Sequence, residues 1–233
     1  MAISIYDMDR TITRGGTWGP WLRFWLRAHA PWRALLLPAL AVPAFLYGQE
    51  AISRGQLKAW AHRIVMGKRV ARVRVEAAAA DYARMVVAEG CFEGALAQIA
   101  ADRAAGRRLV LATASNAYYA EAIGAALGFD AVIATPPRWE GEWLDWRLGG
   151  ENCYGEAKRV RVAAWLSAHA TADEAVRFYS DHHSDAPVFA LVADAGGEAV
   201  VANGTAALRA MADEKGWPQM VWGQPRSSWF ERA

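Results

Sequence analysis

The sequence predicts an α/β fold, in which a mainly parallel sheet carries helices and a helical cap is inserted after the first strand. Short apolar segments of strand length recur along the chain and end in polar residues or turn formers. These segments are residues 3–6, 109–112, 131–134, 175–179 and 199–202. Helical patterns lie between them, at residues 118–127, 157–168 and 205–214. Alternation of buried strands with helices is typical of a parallel sheet.

This alternation is interrupted once, between the first strand and residue 109. The interrupting stretch has helical character and includes the Ala-rich run at residues 75–84. We therefore predict a core domain of residues 1–14 and 89–233, and a helical cap domain of residues 15–88.

The composition is that of a globular intracellular protein. The chain has 233 residues, of which 54% are hydrophobic and 21% charged, so it can bury a sizeable core. Its two cysteines, Cys91 and Cys153, form no CxxC pair, which argues against a disulfide scaffold and favours a reducing compartment. The N-terminus begins with a strand-like segment rather than a secretory signal, so we expect a cytoplasmic protein.

The net charge of +2 conceals a basic block near the N-terminus. Residues 10–75 contain twelve Lys or Arg residues and one acid, Glu50. Such a block attracts anionic partners, among them phosphorylated substrates, acidic lipid headgroups and nucleic acid. A solvated helical face would give the same count, because the basic residues are spread out, and both interpretations stay open.

The basic block also holds the most apolar stretch of the chain, residues 34–47, which carries no charge. A membrane span needs about 20 apolar residues, so this stretch is too short to cross a bilayer, and Pro38 and Pro43 would interrupt a helix. A buried cap helix and a segment in a membrane interface are both compatible with it. Four tryptophans interleaved with arginines precede it, and they fit either core packing or a membrane surface: Trp18, Trp21, Trp25 and Trp32.

The first strand ends in an acid pair within Asp7-Met8-Asp9-Arg10-Thr11. Both carboxylates can face one crevice only if the chain curls into a loop, and such a loop also turns backbone N–H groups inward, which suits a phosphate. Acid pairs are common on protein surfaces, so this pattern alone is weak evidence.

Three further segments also place polar or charged residues just after a predicted strand or near the start of a predicted helix. Thr113 and Ala114 follow the second buried strand, and Lys158 lies near the start of a predicted helix. Asp181 follows another buried strand, with Asp185 four residues later. Taken singly, these residues would be a helix cap, a surface lysine and turn acids.

In this order the four segments resemble those of the haloacid dehalogenase-like (HAD) phosphatases, whose motifs are DxDxT, a strand ending in Ser or Thr, a lysine, and an acidic DxxxD-type strand end. The resemblance covers residues 3–14 and 90–205. The insertion after the first motif resembles the cap of the phosphoserine-phosphatase-like branch, subfamily IB. The resemblance implies a Rossmann-like core that hydrolyses phosphate monoesters.

The resemblance also implies catalytic roles. Asp7 would be the nucleophile that forms an aspartyl-phosphate, and Asp9 would be the general acid and then the base. Thr113 and the backbone amide of Ala114 would hold phosphoryl oxygens, and Lys158 would balance the negative charge.

A Mg²⁺ ion is the implied cofactor, because carboxylate and carbonyl oxygens are its preferred protein ligands. Its ligands would be Asp7, the backbone carbonyl of Asp9, and Asp181. Asp185 would orient a water bound to the metal.

Some residues depart from the family pattern. Arg10 stands where many relatives have glycine, and we expect its φ to be negative, since a positive φ is strained for arginine. His182 and His183 follow the second acidic motif; we do not expect them to share a metal, and their roles stay open together with that of Arg10.

The substrate is less well defined than the reaction. A phosphoserine phosphatase needs a cap carboxylate for the substrate ammonium, but residues 10–49 contain no acid. The cap instead resembles that of bacterial phosphatidylglycerophosphatases, so we favour an amphiphilic phosphate, reached through peripheral contact with the anionic inner face of the membrane. A soluble metabolite such as phosphoserine is the alternative, followed by a phosphotransferase or a non-catalytic binding protein; nucleic acid is the partner we expect least.

Overall fold

The computed structural model describes residues 2–171 and 173–223. Its main sheet has six strands, all parallel, in the order β4-β3-β1-β7-β8-β9. The strands of the fold are β1 (Ala2–Tyr6), β2 (Arg69–Ala71), β3 (Arg107–Asn116), β4 (Ala131–Thr135), β5 (Pro137–Glu140), β6 (Trp143–Leu148), β7 (Ala175–Ser180), β8 (Glu198–Ala202) and β9 (Gln219–Met220). The predicted α/β fold with a parallel sheet is thereby confirmed.

Helices cover both the cap and the faces of this sheet. They are α1 (Trp18–His29), α2 (Ala41–Gly48), α3 (Arg54–Val65), α4 (Arg72–Met85), α5 (Glu93–Ala104), α6 (Ala117–Leu127), α7 (Glu156–His169), α8 (Ala186–Asp194) and α9 (Ala206–Lys215). Their ends follow local sequence signals. Gly128 ends α6 with a φ of 75°, and the Thr205 side chain accepts a hydrogen bond from Leu208 at the start of α9.

The register of the central strands brings the predicted motifs to one edge of the sheet. Tyr6 at the end of β1 lies opposite Leu111 of β3 on one side and Tyr179 of β7 on the other. Strands β1 and β7 therefore end within one residue of each other, and β3 continues past them to Asn116 on the same edge. In parallel sheets the crevice beyond these carboxyl ends is the usual ligand site.

The helical cap also contains one short strand. Strand β2 lies within the predicted cap and pairs in antiparallel fashion with β6, which also pairs with β5. The hairpin β5–β6 leaves the core after β4, so the small sheet joins the cap to the core. A three-residue strand is too short to show alternation in the sequence, which is why β2 escaped prediction.

The two connections between core and cap run side by side. The Arg14 amide donates to the Gly90 carbonyl at 2.7 Å, and the Phe92 amide donates to the Ile12 carbonyl at 2.9 Å. The chain thus leaves and re-enters the core at neighbouring points, close to the predicted boundaries at residues 14 and 89.

Aromatic side chains fill the contact between cap and core. Trp21 and Trp25 are buried, as core packing predicts, and Trp21 stacks on Tyr119 of α6 with ring centroids 5.2 Å apart. Tyr82 of α4 packs edge-on against the same tyrosine at 5.7 Å. The cap is therefore held on the core by a continuous apolar contact.

The apolar stretch 34–47 is exposed, so its interpretation as a buried cap helix is wrong. It forms a 3₁₀ segment, Pro31–Leu40, in which no residue is buried, followed by α2, in which Pro43 is the one buried residue. The prolines prevent one continuous helix. None of the helices in the described residues is long and apolar enough to cross a membrane.

Candidate active site

The loop after β1 turns back so that two predicted acids share a hydroxyl. Thr11 Oγ1 lies 3.1 Å from Asp7 Oδ2 and 3.3 Å from Asp181 Oδ1, and it accepts a hydrogen bond from the Asp181 amide at 3.0 Å. The Asp7 amide donates to the carbonyl of Tyr179, which continues the pairing of β1 with β7. The acids from two separate strands therefore lie next to one another.

Lys158 joins the first acid to a third one. It lies near the start of α7 and is buried, and its Nζ donates to Asp7 Oδ1 at 2.8 Å and to Asp185 Oδ2 at 2.7 Å. The Ser180 hydroxyl also donates to Asp185 Oδ2, at 2.7 Å. Asp185 thus contacts the lysine and positions it, in addition to any role toward a bound water.

This cluster carries more negative charge than its lysine can balance. Burial raises the pKa of Asp7 to about 7, although the charge of Lys158 opposes the rise. Burial, followed by repulsion from Asp7 and Asp185, raises the pKa of Asp181 to about 8. Burial would lower the pKa of Lys158, but the charges of Asp185 and Asp7 raise it instead, so the lysine stays charged. A second cation would allow all three acids to ionise.

The donor set fits a hard divalent cation. Asp185 Oδ1 is buried and has no hydrogen-bond partner among the described residues, and carboxylate oxygens with surplus charge are what Mg²⁺ binds. Within residues 2–171 and 173–223, no three carboxylate, imidazole or thiolate side chains are already grouped as a metal-binding set. The predicted set needs only two carboxylates, with the backbone carbonyl of Asp9 as the third ligand, and it stays a prediction.

Asp9 is held between the cap and the core. Its carboxylate accepts hydrogen bonds from the Thr17 amide at 2.8 Å, the Thr17 hydroxyl at 2.7 Å and the Ser115 hydroxyl at 3.2 Å. Thr17 directly precedes cap helix α1, and its hydroxyl lies 2.9 Å from that of Ser115. The orientation of the predicted acid and base therefore depends on the position of the cap.

The last residues of β3 lie beside these acids; the strand runs to Asn116, so Thr113 and Ala114 belong to it, whereas the prediction ended the strand before Thr113. Thr113 is buried, and its Oγ1 accepts a hydrogen bond from the Ser115 amide at 3.1 Å, while Ala114 lines the pocket. The Ala114 carbonyl accepts a hydrogen bond from Thr135 Oγ1 at 2.8 Å. The structure thus places Ala114 at the pocket wall, while Thr113 is buried directly beside it and does not line the pocket.

A buried lysine of the cap also reaches this wall, and sequence reasoning missed it. Lys58 of α3 donates from Nζ to the Ala114 carbonyl at 2.6 Å and to Asn152 Oδ1 at 2.9 Å. It has no carboxylate within ion-pair distance among the described residues, and burial lowers its pKa to about 8. No local sequence signal distinguishes it from the surface lysine that is the usual occupant of a polar helix.

These groups enclose a small polar pocket of about 210 Å³. The core contributes the predicted acids, Lys158 and Ala114, and the cap contributes Gly16 and Arg54. The Arg54 guanidinium lies 4.6 Å from the centroid of the Tyr154 ring, which also lines the pocket. A cation at the mouth suits an anionic substrate.

The two histidines occupy different positions. His182 lines the pocket and accepts a hydrogen bond through Nδ1 from the Ser184 amide at 3.1 Å. Burial and the neighbouring His183 lower the pKa of His182, so its ring is neutral near pH 7. The exposed His183 packs on that ring with centroids 4.2 Å apart.

Arg10 corrects one expectation. Its φ is 65°, in the left-handed region, where a negative value was expected. The turn that brings Thr11 back to Asp7 and Asp181 requires this conformation, so the strain is the consequence of closing the loop. The side chain is exposed and lines the pocket mouth.

The fold and the site together define a parallel α/β protein with a buried cluster of acids and a lysine at the carboxyl ends of its central strands. The chain belongs to the haloacid dehalogenase-like hydrolase family, whose model matches residues 5–190.

Two similar proteins are named as phosphatases. The chain is 28% identical over 229 residues to "Probable phosphatase Rv3661" of Mycobacterium tuberculosis, covering 96% of this chain and 76% of that protein. It is 29% identical over 225 residues to "Phosphoserine phosphatase SerB1" of the same organism, covering 93% and 69%.

Two solved structures share the fold. A protein of unknown function from Bordetella pertussis Tohama I matches with a TM-score of 0.80 at 24% identity, over 94% of this chain and 97% of that one. A phosphoserine phosphatase with a phospho-aspartyl intermediate analogue matches with a TM-score of 0.60 at 14% identity, over 96% and 94%.

Proposed function

We propose that the protein is a Mg²⁺-dependent phosphomonoester hydrolase that works through an aspartyl-phosphate on Asp7. The observation that carries the proposal is the placement of Asp7, where it contacts the charged Lys158 and, through Thr11, lies beside Asp181. The family and its relatives named as phosphatases support the same class of reaction.

In the first step a carboxylate oxygen of Asp7 attacks phosphorus and the bond to the leaving oxygen breaks. Lys158 favours the ionised Asp7 that this attack requires. Asp9 donates a proton to the leaving oxygen, which turns a poor alkoxide leaving group into an alcohol. The Ala114 amide and Thr113 are the candidates to hold the phosphoryl oxygens, since both belong to the segment at the pocket wall.

In the second step water attacks the phosphorus of the aspartyl-phosphate. Asp9, now deprotonated, takes a proton from that water, and the bond from Asp7 to phosphorus breaks to release inorganic phosphate. Mg²⁺, held by Asp7, Asp181 and the Asp9 carbonyl, would neutralise charge on the phosphoryl group.

The preferred substrate class is an amphiphilic phosphate. Binding the ammonium group of phosphoserine calls for an acid, but the cap lines the pocket with Gly16 and Arg54, and the acids that line it are the core acids of the mechanism. Glu50, the first acid of the cap, lies in a separate cavity with Tyr47 and Ser53. A positive mouth suits an anionic headgroup, and such a substrate implies a cytoplasmic enzyme that acts at a membrane surface.

A soluble metabolite is the alternative substrate class. The similarity to a protein named phosphoserine phosphatase favours it, and the pocket of about 210 Å³ is large enough for a phosphate with a small leaving group. A screen of lipid and soluble phosphates, with Mg²⁺ present and then chelated, separates the two classes.

The role of Asp7 is tested with Asp7→Asn and a generic aryl phosphate. We expect the turnover number to fall about a thousandfold or more, because an amide cannot form the phosphoenzyme. Asp194→Asn is the matched control, since Asp194 is an exposed acid at the end of α8. Turnover by Asp7→Asn within a few-fold of the control would reject Asp7 as nucleophile.

A further inference from the structure

The cap exposes a large apolar surface that the catalytic mechanism does not use. We call it the apolar surface of the cap, and its residues are Trp32, Leu35, Leu36, Leu37, Val42, Phe45 and Tyr47. Leu35 is 84% exposed, Phe45 66% and Trp32 61%. Contiguous exposed apolar groups of this size usually mark a binding surface.

The surface is one uninterrupted segment of chain, the 3₁₀ segment Pro31–Leu40 and helix α2. Helices α1 and α3 pack behind it, so its inner side is already occupied. Its one charged residue is Arg33, whose guanidinium lies 4.6 Å from the Trp32 ring centroid and donates to the Ile64 carbonyl at 2.9 Å. The outward side is therefore free of charge.

Exposed arginines lie on the two helices that pack behind this apolar segment. Arg23 and Arg27 are exposed on α1, and Arg54 is exposed at the start of α3. Residues 10–75 contain one acid, Glu50, against twelve basic residues. An apolar segment with exposed arginines on the adjoining helices is complementary to a bilayer of anionic lipids, whose acyl chains take the apolar groups while the headgroups meet the arginines.

We propose that the apolar surface of the cap docks onto an anionic lipid bilayer, with Pro31–Gly48 lying in the membrane interface. A second copy of the chain is a poorer occupant, because a symmetric dimer would bring two basic caps face to face.

Docking would place the catalytic pocket near the lipid headgroups. Helix α3 packs against both the 3₁₀ segment and α2, and its first residue, Arg54, lines the pocket. This link to catalysis rests on the proposed function, whereas docking itself is measured without turnover.

The test is co-sedimentation of the purified full chain with phosphatidylcholine vesicles that do or do not contain phosphatidylglycerol. We expect binding to the anionic vesicles that weakens as salt rises. The affinity of the triple variant Leu35→Ser, Val42→Ser and Phe45→Ser for these vesicles should fall by about tenfold or more, because the variant lacks apolar groups that enter the interface. Val160→Ser is the matched control, since Val160 is a 52% exposed valine on core helix α7, and it should bind as the wild type does.

Three outcomes would overturn the proposal. They are no sedimentation with anionic vesicles, equal sedimentation of the triple variant and the wild type, and a wild-type dimer in light scattering that the triple variant dissociates. The last outcome would assign the surface to a second copy of the chain.

An activity arm separates this proposal from the proposed function. The triple variant should keep the wild-type rate on a soluble aryl phosphate and lose it on a phosphate presented in vesicles. If neither protein hydrolyses the aryl phosphate, the proposed function fails, and the sedimentation result still decides whether the surface docks.

Discussion

At the scale of single residues, Arg10 shows the conformational strain that the loop after β1 imposes on the backbone. Its φ of 65° lies in a region that glycine occupies readily and other residues occupy with strain of about 1–2 kcal/mol. The loop keeps this conformation because Thr11 must reach Asp7 and Asp181. An arginine here also places a positive charge at the pocket, which suits an anionic substrate.

The strain can be measured by comparing Arg10→Gly with Arg10→Ala. Both remove the guanidinium, but only glycine relieves the strain, so we expect Arg10→Gly to be more stable by about 1 kcal/mol in denaturant unfolding. Equal stability of the two variants would show that the backbone at residue 10 carries no strain.

A single buried imidazole at the contact between cap and core predicts acid sensitivity. The Nε2 atom of His62 lies 3.1 Å from Asn116 Nδ2 and 3.4 Å from the Tyr118 hydroxyl. Burial, together with the charge of Lys58, lowers the pKa of His62 to about 3. The folded protein therefore keeps this ring neutral at a pH where the unfolded chain protonates it.

Because the unfolded state binds the extra proton, stability falls as the pH drops below about 6.5, the ordinary histidine value. Between pH 7 and pH 5 we expect His62 to cost the wild type about 2 kcal/mol of unfolding free energy. His62→Gln keeps a hydrogen-bonding side chain that does not titrate. Between pH 7 and pH 5 its unfolding free energy should therefore fall by about 2 kcal/mol less than that of the wild type. Parallel pH profiles for the two proteins would contradict the assignment.

At the scale of elements, helix α3 links the cap to the phosphate-binding segment. It begins with a capping box, in which Ser53 and Gln56 satisfy each other's backbone amides. Arg54, the first residue of the helix, lines the pocket. Lys58, four residues later, donates a hydrogen bond to the Ala114 carbonyl. One helix thus carries two cations near the site: Arg54 lines the pocket, and Lys58 contacts the backbone of a lining residue.

The charge of Lys58 should affect substrate binding. We expect Lys58→Met and Lys58→Gln each to raise the KM for an aryl phosphate about tenfold with a smaller change in kcat, since an unpaired buried cation attracts the substrate anion. Thr135 also donates to Ala114 and Asn152, so both acceptors keep a partner in the variants. If Lys58→Gln restored the wild-type KM, hydrogen bonding rather than charge would explain the residue.

Most elements of the core could be predicted because each is a local pattern. The strand predicted at residues 175–179 is Ala175–Ser180, and the helix predicted at 157–168 is Glu156–His169. The hairpin β5–β6 was missed because its strands have only four and six residues, and β6 takes its second partner, β2, from far away in the sequence.

The residues of the site also fall into two groups, those that the sequence predicted and those that it did not. Asp7, Asp9, Lys158 and Asp181 follow strand ends or begin a helix, so the motif order alone singled them out. Lys58 lies 56 residues from Ala114, and Thr17 lies 98 residues from Ser115. Contacts of this kind arise from tertiary packing and leave no mark on local composition.

At the scale of the whole molecule, four separated segments meet around surplus negative charge, so a bound cation should stabilise the entire fold. At about ten times its dissociation constant, Mg²⁺ would add about 1.4 kcal/mol and raise Tm by about 3–5 °C. We expect this shift in thermal unfolding of the wild type and of Asp194→Asn, and its loss in Asp181→Asn. An undiminished shift in Asp181→Asn would place the cation elsewhere.

The paired connections at residues 12–14 and 90–92 have a further consequence. Adjacent hydrogen-bonded chains lie about 5 Å apart, so the core presents the inserted segment with two anchor points that a short turn could also bridge. Modules of different size and chemistry could replace one another at this position without disturbing the order of the strands. Substrate choice could thus diversify by exchange of the insert while the reaction chemistry stays constant.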